Sequence, residues 1–253
     1  MQLEAFQSAL GERPFRYYAE IGSTNDTALS WLRDNAADGS IVIADYQTRG
    51  RGRLGRAWHA PPDTALMFTL ILRPPALYVP RINMIAALSV EAAINAVGAS
   101  KTTLKWPNDV LLNGRKVCGI LSESAWEGSR FLGVALGIGV NLRVDFSGSP
   151  LAQSAISVGD VVGTIDRVDL LARILHHIEM WMPQIGTDAP RAAWKARLQT
   201  IGQRVQIALP HETLSGIAED VSEHGALMIR RADGTLGQAF AGDLASLSME
   251  SPP

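Results

Sequence analysis

The sequence predicts an α+β chain, a mixed sheet packed with helices and followed by a small all-β barrel. Three observations predict it. Strand-length apolar runs alternate with helical periodicity over roughly the first two hundred residues. After about Gly202 the texture changes to short strands separated by polar turn pairs. The length, 253 residues, falls between one and two domains at about 150 residues each. Hydrophobic residues make up 47% and charged residues 19%, which is a globular composition.

The elements follow in order. Gly22-Ser23-Thr24-Asn25-Asp26 offers capping side chains ahead of a helix over 27–35, with Ala28, Leu29, Trp31 and Leu32 as its apolar face. Residues 41–46 are a short apolar run after Asp38-Gly39, hence a strand, and a glycine- and arginine-rich loop follows over 48–56. Residues 65–72 read as a buried strand ended by Pro74-Pro75, and 82–97 as an alanine-rich helix packed on the sheet. Residues 103–106 form a strand stopped by Pro107. Asn113-Gly114, which tolerates positive φ, joins strands 110–112 and 116–122. Residues 131–141 are another strand. The stretch 142–165 has turn residues and little periodicity and reads as a loop or a short excursion, and 168–182 and 189–198 are helices broken at Pro183. Trp181 and Trp194 read as packing elements. Short strands follow at 204–209, 213–220, 226–231 and 237–240, with a fifth over 243–247. His211-Glu212, Glu223-His224-Gly225 and Asp233-Gly234 supply the turns. The boundary falls at 200/201, giving units 1–200 and 201–253.

Charge and composition exclude several classes. Lys and Arg total 23 against 25 Asp and Glu, a formal charge of −2, so the chain is not a globally basic nucleic-acid binder. A single cysteine, Cys118, permits no internal disulfide and no Cys-rich zinc site, and its place within a strand favours a buried, inert thiol. His59, His176, His177, His211 and His224 show no metal-ligand spacing, and Ser23 lacks a Gly-x-Ser-x-Gly setting. The first thirteen residues carry Glu4 and Glu12 and do not read as a signal peptide. The apolar stretch 131–140 is about half of a spanning helix. A cytoplasmic protein without a membrane partner is expected.

Three motifs carry chemistry. Gln47-Thr48-Arg49-Gly50-Arg51-Gly52-Arg53-Leu54-Gly55-Arg56 sets four arginines and three glycines within eight residues. Glycine lets backbone N–H groups approach an anion, and arginine suits phosphate and carboxylate. Trp58 and His59 add an aromatic surface. The plain alternative is a solvated basic loop or an RNA-binding arginine–glycine segment. In the second motif, Leu104-Lys105-Trp106-Pro107-Asn108-Asp109, a strand-end lysine is placed to grip a carboxylate and a phosphate together. Asn108 and Asp109 either shape the turn or, for Asp109, help to hold Mg²⁺. In the third, Gly137-Ile138-Gly139-Val140-Asn141, glycines at alternate positions leave one strand face bare for a flat ligand or for close packing. Asn141 either reads an adenine edge or caps the strand.

Taken in order, Ser23-Thr24-Asn25, the 47–56 loop, Lys105-Trp106-Pro107-Asn108-Asp109, residues 116–123 and Gly137 to Asn141 resemble the biotin–protein (biotin–[acetyl-CoA-carboxylase]) ligases. Gly216-Ile217 and Gly225-Ala226-Leu227 also fit. The resemblance implies a class II synthetase-like catalytic domain of the biotin–lipoyl ligase type and an SH3-like C-terminal barrel. The monofunctional form, without the DNA-binding domain and DNA partner that some members carry, is expected, since the Gly22 motif starts near Met1.

The resemblance further implies that biotin and ATP, with Mg²⁺, form biotinyl-5′-AMP, and that the biotinyl group passes to a lysine of a biotin carboxyl carrier domain. Lys105, Arg51 and Arg53 would be catalytic. Ser23, Thr24, Asn25, Gln47, Gly50, Arg51, Gly52, Arg53, Lys105 and Gly119 would bind biotin, with Ser23, Thr24 and Gln47 on its ureido ring. Arg53, Arg56, Trp58, Asn108, Lys116, Gly139 and Asn141 would bind ATP, Arg56 at the β/γ-phosphates and Asn141 at adenine. The Gly137/Gly139 face would give the ring system room, and the loop would be mobile until the adenylate supplies counter-charge. A homodimer through edge strands is compatible. The alternatives are a lipoate–protein ligase and a non-catalytic RNA-binding module.

Overall fold

The structure is a computed structural model and describes residues 2–209, 212–240 and 242–246. His211 of the expected turn and Leu247 of the expected last strand lie outside them. Two sheets form. The larger has the order β1-β2-β3-β7-β6-β5-β4, from β1 (Phe15–Ile21), β2 (Ile41–Gln47), β3 (Ala65–Leu72), β4 (Thr102–Lys105), β5 (Asp109–Leu112), β6 (Arg115–Glu127) and β7 (Arg130–Asn141). It is mixed: β1 runs parallel to β2 and every other neighbour is antiparallel. The smaller is the expected all-β unit, antiparallel in the order β11-β10-β9-β8-β12. Its strands are β8 (Arg204–Ala208), β9 (Thr213–Val221), β10 (Leu227–Arg230), β11 (Leu236–Ala239) and β12 (Asp243–Ser246).

Strand periodicity explains how the larger sheet is covered. Every residue of β3 is buried, because both sheet faces are packed. Leu66, Phe68, Leu70 and Leu72 join the main core with Ile82, Ile85 and Leu88 of α3 (Ile82–Ala96) and Leu170 and Ile174 of α5 (Arg167–Trp181). Ile71 faces the other way, with Val42 and Ala135, against Ala28 and Leu32 of α2 (Thr24–Arg33). Ala65 and Met67 form a third small cluster with Ala60 and Val144, backed by Trp58. Residues 76–96 are long and apolar enough to cross a bilayer, but they are 67% buried in this core. Trp194 on α6 (Ala189–Arg197) is buried, and Trp181 packs against the same core.

The structure corrects the sequence reading at several places. A helix α1 (Gln2–Leu10) and strand β1 were not expected. Among its described side chains, α1 buries only Phe6 and Leu10. β1 is an edge strand with no clean alternation of burial, so neither carries a strong periodic signal. α2 begins at Thr24 rather than residue 27, because Ser23 is its N-cap and accepts from Asp26 N at 3.5 Å. The 142–165 stretch contains the short helix α4 (Gly159–Val162) and pairs Ala155 with Lys116 beside β6.

The smaller sheet is anchored to the larger through the chain next to Lys105. Gln199 N donates to Leu104 O at 2.9 Å, and Trp106 N donates to Thr200 Oγ1 at 3.1 Å. Trp106 is 1% exposed, and its indole N–H donates to Gly225 O at 2.9 Å. Arg81, also buried, donates to the carbonyls of Glu223, Ile185 and Thr187.

Candidate active site

A cavity of about 700 Å³ opens where the N-terminus of α2, the glycine–arginine loop and the ends of β4, β6 and β7 converge. That volume suits a small-molecule site. Every site residue expected from the sequence lines it except Gly50. Gly50 is a packing glycine: a Cβ there would meet Trp58 O at 2.5 Å. The cavity therefore brings Lys105, Arg51, Arg53 and Arg56 together on one shared space.

The floor is a hydrogen-bonded set built by α2, β2 and β3. Gln47 Oε1 accepts from Thr24 N at 2.8 Å and from Thr24 Oγ1 at 3.0 Å. Asn25 Nδ2 donates to Glu123 Oε2 at 2.7 Å and to Leu121 O at 3.2 Å. Ser23, Thr24, Asn25 and Gln47 are all buried, so these bonds offset the cost of removing polar groups from water.

The loop is a small hairpin, with Arg51 bridged to Ala57 and Trp58 N donating to Gly50 O at 3.0 Å. Leu54 at its tip has φ of 55°. Arg51 Nη2 sits 2.7 Å from Asp26 Oδ1 and 2.8 Å from Glu123 Oε2. At Arg51, part of the loop's counter-charge thus comes from the protein itself. Arg53 Nη1 donates to Asn108 Oδ1 at 3.3 Å, tying the loop to the turn after Lys105. The Lys105 ammonium has no hydrogen bond or ion pair among the described residues.

The glycine face takes the close-packing alternative. A Cβ on Gly137 would meet Asn25 Oδ1 at 2.3 Å, and one on Gly139 would meet Trp58 Cε2 at 2.7 Å. The bare face is filled by the protein's own Asn25 and Trp58. Asn141 also has a structural task, its Nδ2 donating to Ile156 O at 3.2 Å and Lys116 O at 3.4 Å. Lys116 Nζ lies 2.7 Å from Asp109 Oδ1, an ion pair in the cavity wall. Among the described residues, no three His, Cys, Asp or Glu side chains are grouped to hold a metal. Cys118 is buried and points to no chemistry, since burial pushes its thiol well above the ordinary range. Phe146, Leu151, Gln153 and Ser154 also line the cavity. They come from the aperiodic 142–165 stretch, where the sequence offers no motif.

Residues 17–141 match the Biotin/lipoate A/B protein ligase family, and residues 200–244 match the Biotin protein ligase C terminal domain. The biotin–[acetyl-CoA-carboxylase] ligase of Paracoccus denitrificans is 36% identical over 223 residues, spanning 84% of this chain and 92% of that protein. The chain belongs to the biotin protein ligase family. The bifunctional ligase/repressor BirA of Bacillus spizizenii is 34% identical over 227 residues, covering 86% of this chain and 70% of BirA. The biotin protein ligase of Aquifex aeolicus, solved in complex with biotin and ATP, superposes with a TM-score of 0.78 at 25% identity, covering 92% of this chain and 97% of that one. For a biotin protein ligase, a mixed sheet beside a small SH3-like antiparallel unit is the family's architecture.

Proposed function

We propose that the chain activates biotin with ATP and transfers the biotinyl group to a lysine of a biotin carboxyl carrier domain. The observation that carries this is the shared cavity, in which the Lys105 ammonium, unpaired among the described residues, three arginines and a buried floor of hydroxyl and amide groups converge. A carboxylate and a triphosphate repel each other, and their reaction adds charge at phosphorus, so a site that joins them must concentrate positive charge. Lys105 bridges the biotin carboxylate and the α-phosphate. Arg51 and Arg53 hold the carboxylate and phosphate oxygens, and Arg56 reaches toward the β- and γ-phosphates. A carboxylate oxygen forms the new bond to the α-phosphorus while the bond to pyrophosphate breaks. In the second half-reaction a carrier lysine amine attacks the anhydride carbonyl, and AMP departs with the former carboxylate oxygen.

The ureido ring offers one acceptor and two N–H donors, which suits the floor of Ser23, Thr24 and Gln47. Asn25, Gly52 and Gly119 shape the biotin side. Trp58, Asn108, Lys116, Gly139 and Asn141 flank the nucleotide side. Among the described residues Asp109 is the one carboxylate lining the cavity, and its Oδ1 is ion-paired with Lys116 at 2.7 Å, so a Mg²⁺ ion would be carried mainly by the phosphates. Bound there, the ion would offset pyrophosphate charge.

The deciding measurement is ATP–pyrophosphate exchange with biotin, with lipoate and with neither. Exchange that requires biotin supports the reading. Exchange supported by lipoate alone, or by neither, overturns it.

A further inference from the structure

We propose that Thr69 and Glu123 are positioning residues that fix which hydrogen-bonding groups the cavity floor offers to a cyclic urea. The inference rests on the reading of Thr24 and Gln47 as that floor. Thr69 is the one polar residue of β3 and is 0% exposed. It does not line the cavity. Its Oγ1 lies 2.6 Å from Asn25 Oδ1 and 2.9 Å from Thr24 Oγ1.

The direction of each bond follows from what each atom is able to do. Glu123 Oε2 and Leu121 O only accept, at 2.7 and 3.2 Å from Asn25 Nδ2, so the Asn25 amide is oriented with Oδ1 toward Thr69. A carbonyl oxygen cannot donate, so the single Thr69 proton goes to Asn25 Oδ1. The Thr69 oxygen then accepts from the Thr24 hydroxyl. The Thr24 proton is thereby held inward, shared with Gln47 Oε1 at 3.0 Å, and the Thr24 oxygen is left as an acceptor. Gln47 Oε1 also takes Thr24 N at 2.8 Å, so the amide nitrogen is the end of Gln47 still able to donate, with Met67 Sδ at 3.4 Å as a weak partner. The floor thus offers an acceptor at Thr24 and a donor at Gln47, as a urea's N–H and C=O require. The relay ends on Glu123, which also binds Arg51 Nη2 at 2.8 Å. One carboxylate therefore serves both the floor and the glycine–arginine loop.

The test is calorimetric titration of the full chain with biotin and with 2-iminobiotin, in which an imino N–H replaces the ureido oxygen. Thr69→Val is expected to weaken biotin binding about tenfold and to narrow the preference for biotin over 2-iminobiotin, whereas Thr69→Ser stays within about twofold of the parent. Glu123→Gln, which donates as well as accepts, removes one of the two acceptors that fix the Asn25 amide and narrows the same preference. Folded Thr69→Val and Glu123→Gln variants with the parent affinity and preference overturn the proposal. So does equal weakening by both Thr69 variants with the preference intact, because that marks packing alone. If Thr69→Val does not fold, Glu123→Gln decides. Thr24→Val and Gln47→Leu separate the two readings: if neither weakens biotin, the floor assignment fails, and if both do while Thr69→Val does not, only the relay fails.

Discussion

The indole of Trp58 occupies the space that a side chain at Gly139 would need: a Cβ there would come within 2.7 Å of Trp58 Cε2. Gly139 pairs in register with Gly119, where a Cβ would lie 2.9 Å from Trp58 Cζ3. The two glycines form a shelf, and Trp58 spreads across it with its Nε1 buried and, among the described residues, without a hydrogen-bond partner. Neither glycine has a positive φ, so the demand at this shelf is for space rather than for an unusual backbone.

Gly139→Ala is therefore expected to displace Trp58 from the nucleotide side of the cavity. The KM for ATP should rise about tenfold, equivalent to ~1.4 kcal/mol, with the KM for biotin nearly unchanged. Overpacking should also cost about 1–3 kcal/mol of stability. Steady-state kinetics and a denaturant melt check both. An unchanged ATP KM would mean that the position of Trp58 is irrelevant to the nucleotide.

Lys105 offers a sharper separation of binding from chemistry. Its ammonium is uncommitted among the described residues, whereas Arg51 is shared with Asp26 and Glu123. Lys105→Ala should reduce biotin-dependent pyrophosphate exchange by about 10²–10³ and leave biotin affinity within a few-fold. Titration with biotin and an exchange assay on the same preparation distinguish the two. A normal exchange rate would remove Lys105 from the mechanism.

How far these positions were legible in the sequence depends on the kind of signal. Residues 65–72 are continuous apolar sequence bounded by turn residues, and β3 occupies them. The glycine–arginine loop and Lys105 announce themselves by charge and by spacing, and the fold brings them to one cavity. Thr69 carries no motif. A lone threonine in an apolar strand gains meaning only when Asn25 and Thr24 are seen beside it. The bare glycine face was legible as space, but its occupants, Trp58 and Asn25, come from segments far away in the chain. β1 carries no such signal, because its half-exposed edge position erases the alternation that marks a strand.

The attachment of the smaller sheet yields a third expectation. Trp106 follows Lys105 and is fixed through both its indole, to Gly225 O, and its backbone N–H, to Thr200 Oγ1. Trp106→Phe leaves a carbonyl without its donor, and Thr200→Val strands a buried N–H. Each should cost about 1–3 kcal/mol, measured by urea unfolding. Thr200→Ser should recover most of the loss. If Thr200→Val is as stable as the parent, the anchor contributes nothing.

The remaining expectation concerns alkaline pH. Tyr17 on β1 donates its hydroxyl to Asp45 on β2, and Arg167 at the start of α5 pairs with the same carboxylate. Burial, then the hydrogen bond to Asp45, pushes the Tyr17 phenol up from 10.0 to about 12. The folded state thus favours the protonated phenol. Below pH 10 the phenol is protonated in both states, and its contribution to stability is complete. Between pH 10 and 12 the unfolded chain loses this proton while the folded chain keeps it. Unfolding then releases a proton, and stability falls as pH rises. Tyr17→Phe has no such proton, so its urea midpoint should fall less steeply than the parent's across that window. At pH 8 it should show only a deficit of about 1 kcal/mol from the missing hydrogen bond. Parallel slopes for the two proteins above pH 10 would show that Tyr17 titrates as it does in the unfolded chain.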